Sequence, residues 1–305
     1  MFTILKIGST GDNVKLLQSF LKIKVDGDFG LATEKAVKAW QKSKGLIDDG
    51  IVGPKTWAAM GLKDLSLSTD QSENVIKTNE SLIIKKFYLS PDEYMAGPTK
   101  KEYLFLHHTA GWNNPYNTIT SWDKDTRGRV GTQYVIGGPN PVTGDKRYDG
   151  EVVECFGDLA YAGHLGAVNS HYMHKHSVGI EICNFGGLKP SGEGYKTYTG
   201  QIVQEDQVCD LGYEFRGYRY WHAYSPAQIS ALKKLIRHIC KLHGINPKAG
   251  LVELFEKFDE PDEAFEYMKD ASDGKIKGIL SHTNVRKDKS DVYPAPELIA
   301  ALKSL

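Results

Sequence analysis

Between residues 63 and 80 the chain reads KDLSLSTDQSENVIKTNE, a run dominated by Ser, Asp, Asn and other polar residues. So few apolar side chains cannot offset the entropy of ordering a backbone, and the stretch reads as a linker. The chain must then fold as two bodies, residues 1–62 before it and 81–305 after it. A length of 305 residues suits that division, and 40% apolar residues leave the larger body enough material for a core.

The charge balance narrows the partners. Lysine and arginine number 38, as do aspartate and glutamate, so the formal charge is zero. Nucleic acid or an anionic membrane as main partner calls for a basic excess, and both are excluded on that ground. No apolar stretch reaches the roughly 20 residues that span a bilayer, which excludes membrane insertion. The opening MFTILKIGSTGDNV lacks the basic head, apolar run and small-residue cleavage site of a secretory signal, so synthesis in the cytoplasm is expected. Cys155, Cys183, Cys209 and Cys240 form no CxxC pair and are expected to be free thiols.

In residues 1–62, Val14, Leu17, Gln18 and Leu21 fall on one helical face, with Asp12 or Asn13 placed to cap its start. A second amphipathic run carries Ala36, Val37, Trp40 and Gln41, and a third begins at Pro54 and carries Trp57 and Met60. Two similar phrases, VDGDFGLAT at Val25–Thr33 and DDGIVGPKT at Asp48–Thr56, each read Asp-Gly-x-apolar-Gly-x-x-Thr and lead into a helix. A small all-α body of three helices is predicted.

Past the linker, short apolar runs alternate with helical ones: YLFLHH, TQYVIGG, EVVECFG, SVGIEICNF, then PAQISALKKLIRHICKLHG. Interleaved strands and helices predict an α/β body with a mixed central sheet flanked by helices. The segment LVELFEKFDEPDEAFEYMKDASDGKIKG reads as an acidic helical insertion on the surface.

The strand YLFLHH ends in His107 and His108, which alternation sends to opposite faces. Far downstream, SHTNVRKDKSDVYP contains His282, Lys289 and Asp291. Two histidines and a carboxylate are the protein ligands of a catalytic zinc site that keeps a fourth position open. Lys289 and Asp291, two apart, share a face in an extended segment. HYMHKH, with His171, His174 and His176, has spacing open to metal binding or to a solvated loop. Trp112 and Tyr134 read as core or cleft aromatics, and His222, His238 and His243 as helix-region residues.

These motifs carry two resemblances. Residues 4–62, through KIGSTGDNVKLLQSFL, VDGDFGLATEKAVKAWQ and DDGIVGPKTW, resemble the three-helix peptidoglycan-binding domain appended to cell-wall hydrolases. Residues 101–296 resemble the zinc-dependent N-acetylmuramoyl-L-alanine amidases shared by phage endolysins, bacterial amidases and peptidoglycan-recognition proteins. HHTA puts His107 in the first ligand place, SHTN puts His282 in the second, and KSD puts Asp291 in the third. AGHLG around His164 is similar to the family's Trp-His-Ala-Gly phrase, with Gly163 in place of the Trp, and SVGIEI supplies Glu181. GTQYV departs from the family, because Thr132 stands where some members carry a catalytic Tyr. Segments 187–217 and 249–275 are insertions.

The resemblance implies Zn²⁺ held by His107, His282 and Asp291, with Glu181 as general base or as support to a ligand, and Lys289 stabilising the oxyanion. His164, Thr132 and Trp112 are candidates for contacting substrate. It further implies cleavage of the amide between N-acetylmuramic acid and L-alanine in peptidoglycan, by a monomer that reaches the wall after release, as a modular endolysin does. A non-catalytic recognition protein, or a bacterial autolysin or recycling amidase, is the alternative.

Overall fold

The structure is a computed structural model that describes residues 4–60, 75–78, 81–97, 99–166 and 171–305. It divides into two compact units, one up to Asn74 and one from Val75 onward.

The first unit holds the three expected helices, Asp12–Phe20, Leu31–Ser43 and Pro54–Met60. Val14, Leu17, Phe29, Val37, Val52 and Trp57 make its small core. The N-cap position of the first helix is Gly11, one residue before the expected Asp12 or Asn13. Gly11 O accepts the amides of Val14 and Lys15 and so opens the helix.

The two Asp-Gly phrases are one device used twice. Gln18, fully buried, donates to Asp26 Oδ1 (2.7 Å), Asp28 O (2.9 Å) and Thr33 Oγ1 (3.1 Å), while its Oε1 accepts the amide of Gly27 (2.9 Å). Gln41 repeats this with Asp49 (3.0 Å), Ile51 O (2.9 Å), Thr56 (3.2 Å) and Gly50 N (3.0 Å). Gly27 and Gly50 sit at φ 79° and 76°, where a side chain is strained. Each glutamine satisfies a turn amide that has no ladder partner, Gly27 N or Gly50 N. The sequence showed both turns and both glutamines without revealing that they belong together.

In the second unit, seven strands form one sheet in the order Val75–Lys77, Ile83–Lys86, Val152–Glu154, Tyr134–Ile136, Ser177–Ile182, Tyr103–His108, Gly278–Ser281. The last three are mutually parallel, as in βαβ units. The expected linker 63–80 is therefore shorter than its composition suggests. Val75–Lys77 pairs antiparallel with Ile83–Lys86, where an available strand edge outweighs the polar surroundings. Residues 63–74, 79 and 80 of that linker lie outside the described residues.

The 18-residue helix Pro226–His243 covers one face of the sheet, its start fixed by a reciprocal Ser225–Gln228 capping box and its end by Gly244 in the left-handed region. Leu232, Leu235, Ile236 and Ile239 pack there against Leu104, Ile180 and Ile182. The segment expected as a surface insertion is helical over Leu251–Lys257 and Lys269–Ser272, but it is not confined to the surface. Leu251, Leu254, Phe255 and Phe265 enter the main core, since the apolar half of an acidic amphipathic helix still needs cover.

Residues 187–222 build a second, five-stranded sheet, in the order Ile202–Val203, Gly194–Lys196, Gly187–Ser191, Tyr218–His222, Val208–Phe215. His222 lies on one of its strands, not in a helix as expected, because the aromatic run YRYWH pairs with both neighbours. No helix among the described residues is long and apolar enough to cross a membrane.

Candidate metal centre

Strand register assembles the centre. His107 pairs with Glu181 across parallel strands, which puts both side chains on the same face of the sheet. On the other side, Ser281 pairs with Leu106, so His282 begins its short helix beside His107. That helix is held at its start by Ser281 N donating to Asn284 Oδ1 at 2.9 Å. The loop that returns Asp291 is tied back by Thr283 N donating to Asp291 O at 3.1 Å.

Three side-chain atoms then converge. His107 Nδ1 lies 3.1 Å from His282 Nδ1 and 3.1 Å from Asp291 Oδ2, and His282 Nδ1 lies 2.9 Å from the same oxygen. His107 is buried to 2% exposure, His282 to 5% and Asp291 to 9%. Burial draws His107 down to about 4, more than the hydrogen bond to Asp291 raises it, so its ring is neutral. Burial opposes ionisation of Asp291, yet the two imidazoles hold its carboxyl well below the usual range.

With the Asp291 carboxyl ionised, no arrangement of protons satisfies this triangle. With both Nδ1 atoms protonated, two hydrogens face each other across 3.1 Å; with one protonated, a lone pair faces the carboxylate. A cation at the centre of the three lone pairs resolves every contact. Tetrahedral ligands about 2.0–2.1 Å from a metal stand roughly 3.3 Å apart, close to the spacing seen. Among the described residues this is the one His, Cys, Asp or Glu group that could hold a metal ion.

The centre opens into a cleft of about 430 Å³, lined in part by Glu181, Lys289, Thr132, His164, Arg127 and Trp122. Burial, then Asp291, raises the Glu181 carboxyl well above its ordinary value, while Lys289 opposes the shift. Lys289 makes no ion pair among the described residues and reaches the cleft alongside Asp291.

Other expected residues fall differently. His108 points the opposite way, its Nδ1 3.4 Å from Tyr224 Oη. Thr132 lines the cleft and donates its hydroxyl to Tyr134 O at 3.0 Å. Trp112 is 43% exposed, edge-on to Phe185, and is not among the cleft-lining residues. His164 lines the cleft, but both its ring nitrogens are engaged, with His107 and Ser177. His171, His174 and His176 do not converge; they contact Tyr161 Oη, Gly166 O and Lys100 O respectively. Sequence reasoning missed Tyr198, whose hydroxyl donates at 2.8 Å to Ala110 O in the cleft wall. It missed Ser177 as well. No motif marks either one.

The sequence profile of the N-acetylmuramoyl-L-alanine amidase family matches residues 97–294, roughly two thirds of the chain. The chain belongs to this family. A peptidoglycan binding domain profile matches residues 10–60 of the first unit. The amidase CwlL of Bacillus licheniformis is 44% identical over 72 residues, covering 20% of this chain and 20% of that protein. A Burkholderia AP3 phage endolysin structure is 38% identical over 21% of this chain and 27% of its own, with a TM-score of 0.19. A mutant endolysin from Bacillus subtilis covers 73% of this chain and 97% of its own at 12% identity, with a TM-score of 0.38. The chain thus spans about a fifth of the curated amidase it matches.

Proposed function

We propose that this chain is a zinc-dependent N-acetylmuramoyl-L-alanine amidase, hydrolysing the amide between the lactyl group of N-acetylmuramic acid and L-alanine. The observation that carries the reading is the buried His107–His282–Asp291 triangle inside a chain of the amidase family. Two imidazoles and one carboxylate suit zinc and leave a position open. Bound there, zinc would polarise the scissile carbonyl and lower the pKa of water towards ~7.

The other roles fall to this chain's side chains. Glu181, beside His107, accepts a proton from the attacking water as the new C–O bond forms. It returns that proton to the alanine nitrogen as the C–N bond breaks, leaving a lactyl carboxylate and a free amine. Lys289 holds the oxyanion between those steps. Thr132, in the cleft wall, contacts substrate near the scissile bond. Residues 1–62 hold the enzyme on the wall, and residues 81–305 carry the chemistry.

A binding unit joined to an amidase suits a modular endolysin that acts on the cell wall. A recognition protein without activity would have no use for a complete ligand set backed by Glu181 and Lys289, so the enzyme is the better reading. Metal analysis of the purified protein and mass spectrometry of digested peptidoglycan test it together. One zinc per chain and new L-alanine amino termini are expected. Reducing sugar ends in their place would defeat the assignment.

A further inference from the structure

Only one ring nitrogen of His107 belongs to the ligand triangle. The other, Nε2, lies 3.0 Å from Nδ1 of His164, whose Nε2 lies 2.7 Å from Ser177 Oγ. Ser177 Oγ donates to the His174 carbonyl at 3.3 Å. The backbone N–H of His164 donates to His174 Nδ1 at 3.2 Å, and His174 Nε2 reaches the Gly166 carbonyl at 3.1 Å.

One assignment of hydrogens satisfies this whole series. If His107 Nδ1 offers its lone pair to a cation, the neutral ring carries its hydrogen on Nε2. That hydrogen goes to His164 Nδ1, which leaves the His164 hydrogen on Nε2, facing Ser177. The serine hydrogen passes to the His174 carbonyl. His174 Nδ1 already accepts from a backbone amide, so its own hydrogen is on Nε2 and goes to Gly166. No donor faces a donor anywhere along the series.

We propose that His164 is a positioning residue for His107: it fixes the tautomer that presents Nδ1 as a metal ligand and holds the ring in place. The two rings meet edge-on, 88° apart, with centroids separated by 5.1 Å. The fold keeps space for this contact. A Cβ at Gly179, on the neighbouring strand, would stand 2.8 Å from Thr132 Cγ2 and 3.1 Å from His164 Nδ1. Ligand histidines commonly donate to a carboxylate, a carbonyl or water; here the acceptor is an imidazole with a serine behind it. The second ligand lacks such support, for His282 Nε2 is buried without a hydrogen-bond partner among the described residues. The series therefore orients one of the two ligand imidazoles and leaves the other to Asp291.

This inference rests on reading the triangle as a zinc centre, and zinc affinity tests it without recourse to activity. The parent protein, His164→Ala, His164→Asn and Ser177→Ala are stripped of metal and titrated with zinc against a chromophoric chelator. His164→Ala should weaken zinc binding by about 10–100-fold. His164→Asn, which keeps an amide oxygen near the place of Nδ1, should lose less, and Ser177→Ala less again. The cobalt(II) visible spectrum of His164→Ala should differ from the parent's, because the ligand ring is no longer held. An Ala variant within twofold of the parent overturns the proposal, and so does an Asn variant no better than Ala. If His164→Ala does not fold, parent-like affinity in both His164→Asn and Ser177→Ala overturns it. A parent that binds no zinc defeats the metal reading itself; a parent that binds tightly while every variant matches it defeats only the role of His164.

Discussion

His107 and Glu181 stand directly opposite each other on adjacent parallel strands, both turned into one cleft. The pairing brings a ring of the ligand triangle and a half-buried carboxyl to the same cleft while leaving Glu181 outside that triangle. Glu181→Gln keeps the shape but cannot accept a proton. Turnover should fall by about 10²–10⁴-fold with zinc content and wall binding unchanged. Release of L-alanine amino termini and zinc content are measured on the same samples. Loss of zinc would make Glu181 a support for the ligands and remove it from the chemistry.

The two faces of the Tyr103–His108 strand separate the adjacent histidines. His282→Ala, or His107→Ala, should abolish tight zinc retention and lysis together. His108→Ala should retain zinc, because its side chain lies towards Tyr224. Zinc loss in His108→Ala equal to that in His107→Ala would contradict the strand's facing.

The residues of the triangle were legible in the sequence because each sits in a phrase that the family resemblance marks, HHTA, SHTN and KSD, with His107 near the end of a strand, His282 just past one and Asp291 in a loop. Glu181 was legible through the resemblance of SVGIEI to a strand of that family. The contacts behind them were not. Ser177 opens a strand that reads as plain apolar alternation, and its bond to His164 depends on a loop closing over residues 163–166. Nor could composition show that Val75–Lys77 would find a strand edge, or that Leu251 and Phe255 would turn inward from an acidic helix. Such outcomes depend on partners distant in the chain, and no local pattern encodes them.

His222 should make stability depend on acidity. Burial draws its pKa down to about 3, and its neutral ring accepts Phe185 N–H at Nδ1 (3.1 Å) while Nε2 faces Gln207 Oε1 (3.2 Å). A folded pKa below the unfolded value of about 6.5 means that the unfolded chain takes up the proton first. The contribution is complete above about 6.5 and is lost as pH falls from there towards 3. Between those limits it declines by about 1.4 kcal/mol per pH unit. Urea unfolding of the metal-free protein at pH 7, 6, 5 and 4 should show a slope steeper by that amount than in His222→Gln. Equal slopes would mean that the buried ring takes its proton without cost.

The paired glutamines of the first unit should control its stability and, through it, attachment to the wall. Gln18 and Gln41 are each about 1% exposed and each accepts a turn amide that has no ladder partner, Gly27 N or Gly50 N. Replacing either by Ala strands a buried amide and removes three donated bonds, at a cost of about 1–3 kcal/mol for the unmet donor alone. A body of this size has little margin to absorb that loss. Hydrogen exchange at Gly27 should quicken in Gln18→Ala, and at Gly50 in Gln41→Ala, each change local to its own turn. Peptidoglycan pull-down should weaken in both variants, while cleavage of a small soluble muropeptide stays at the parent rate, because the metal centre draws on residues of the other unit. Undiminished pull-down combined with lost protection would separate wall binding from the turns and assign it to another surface of the chain.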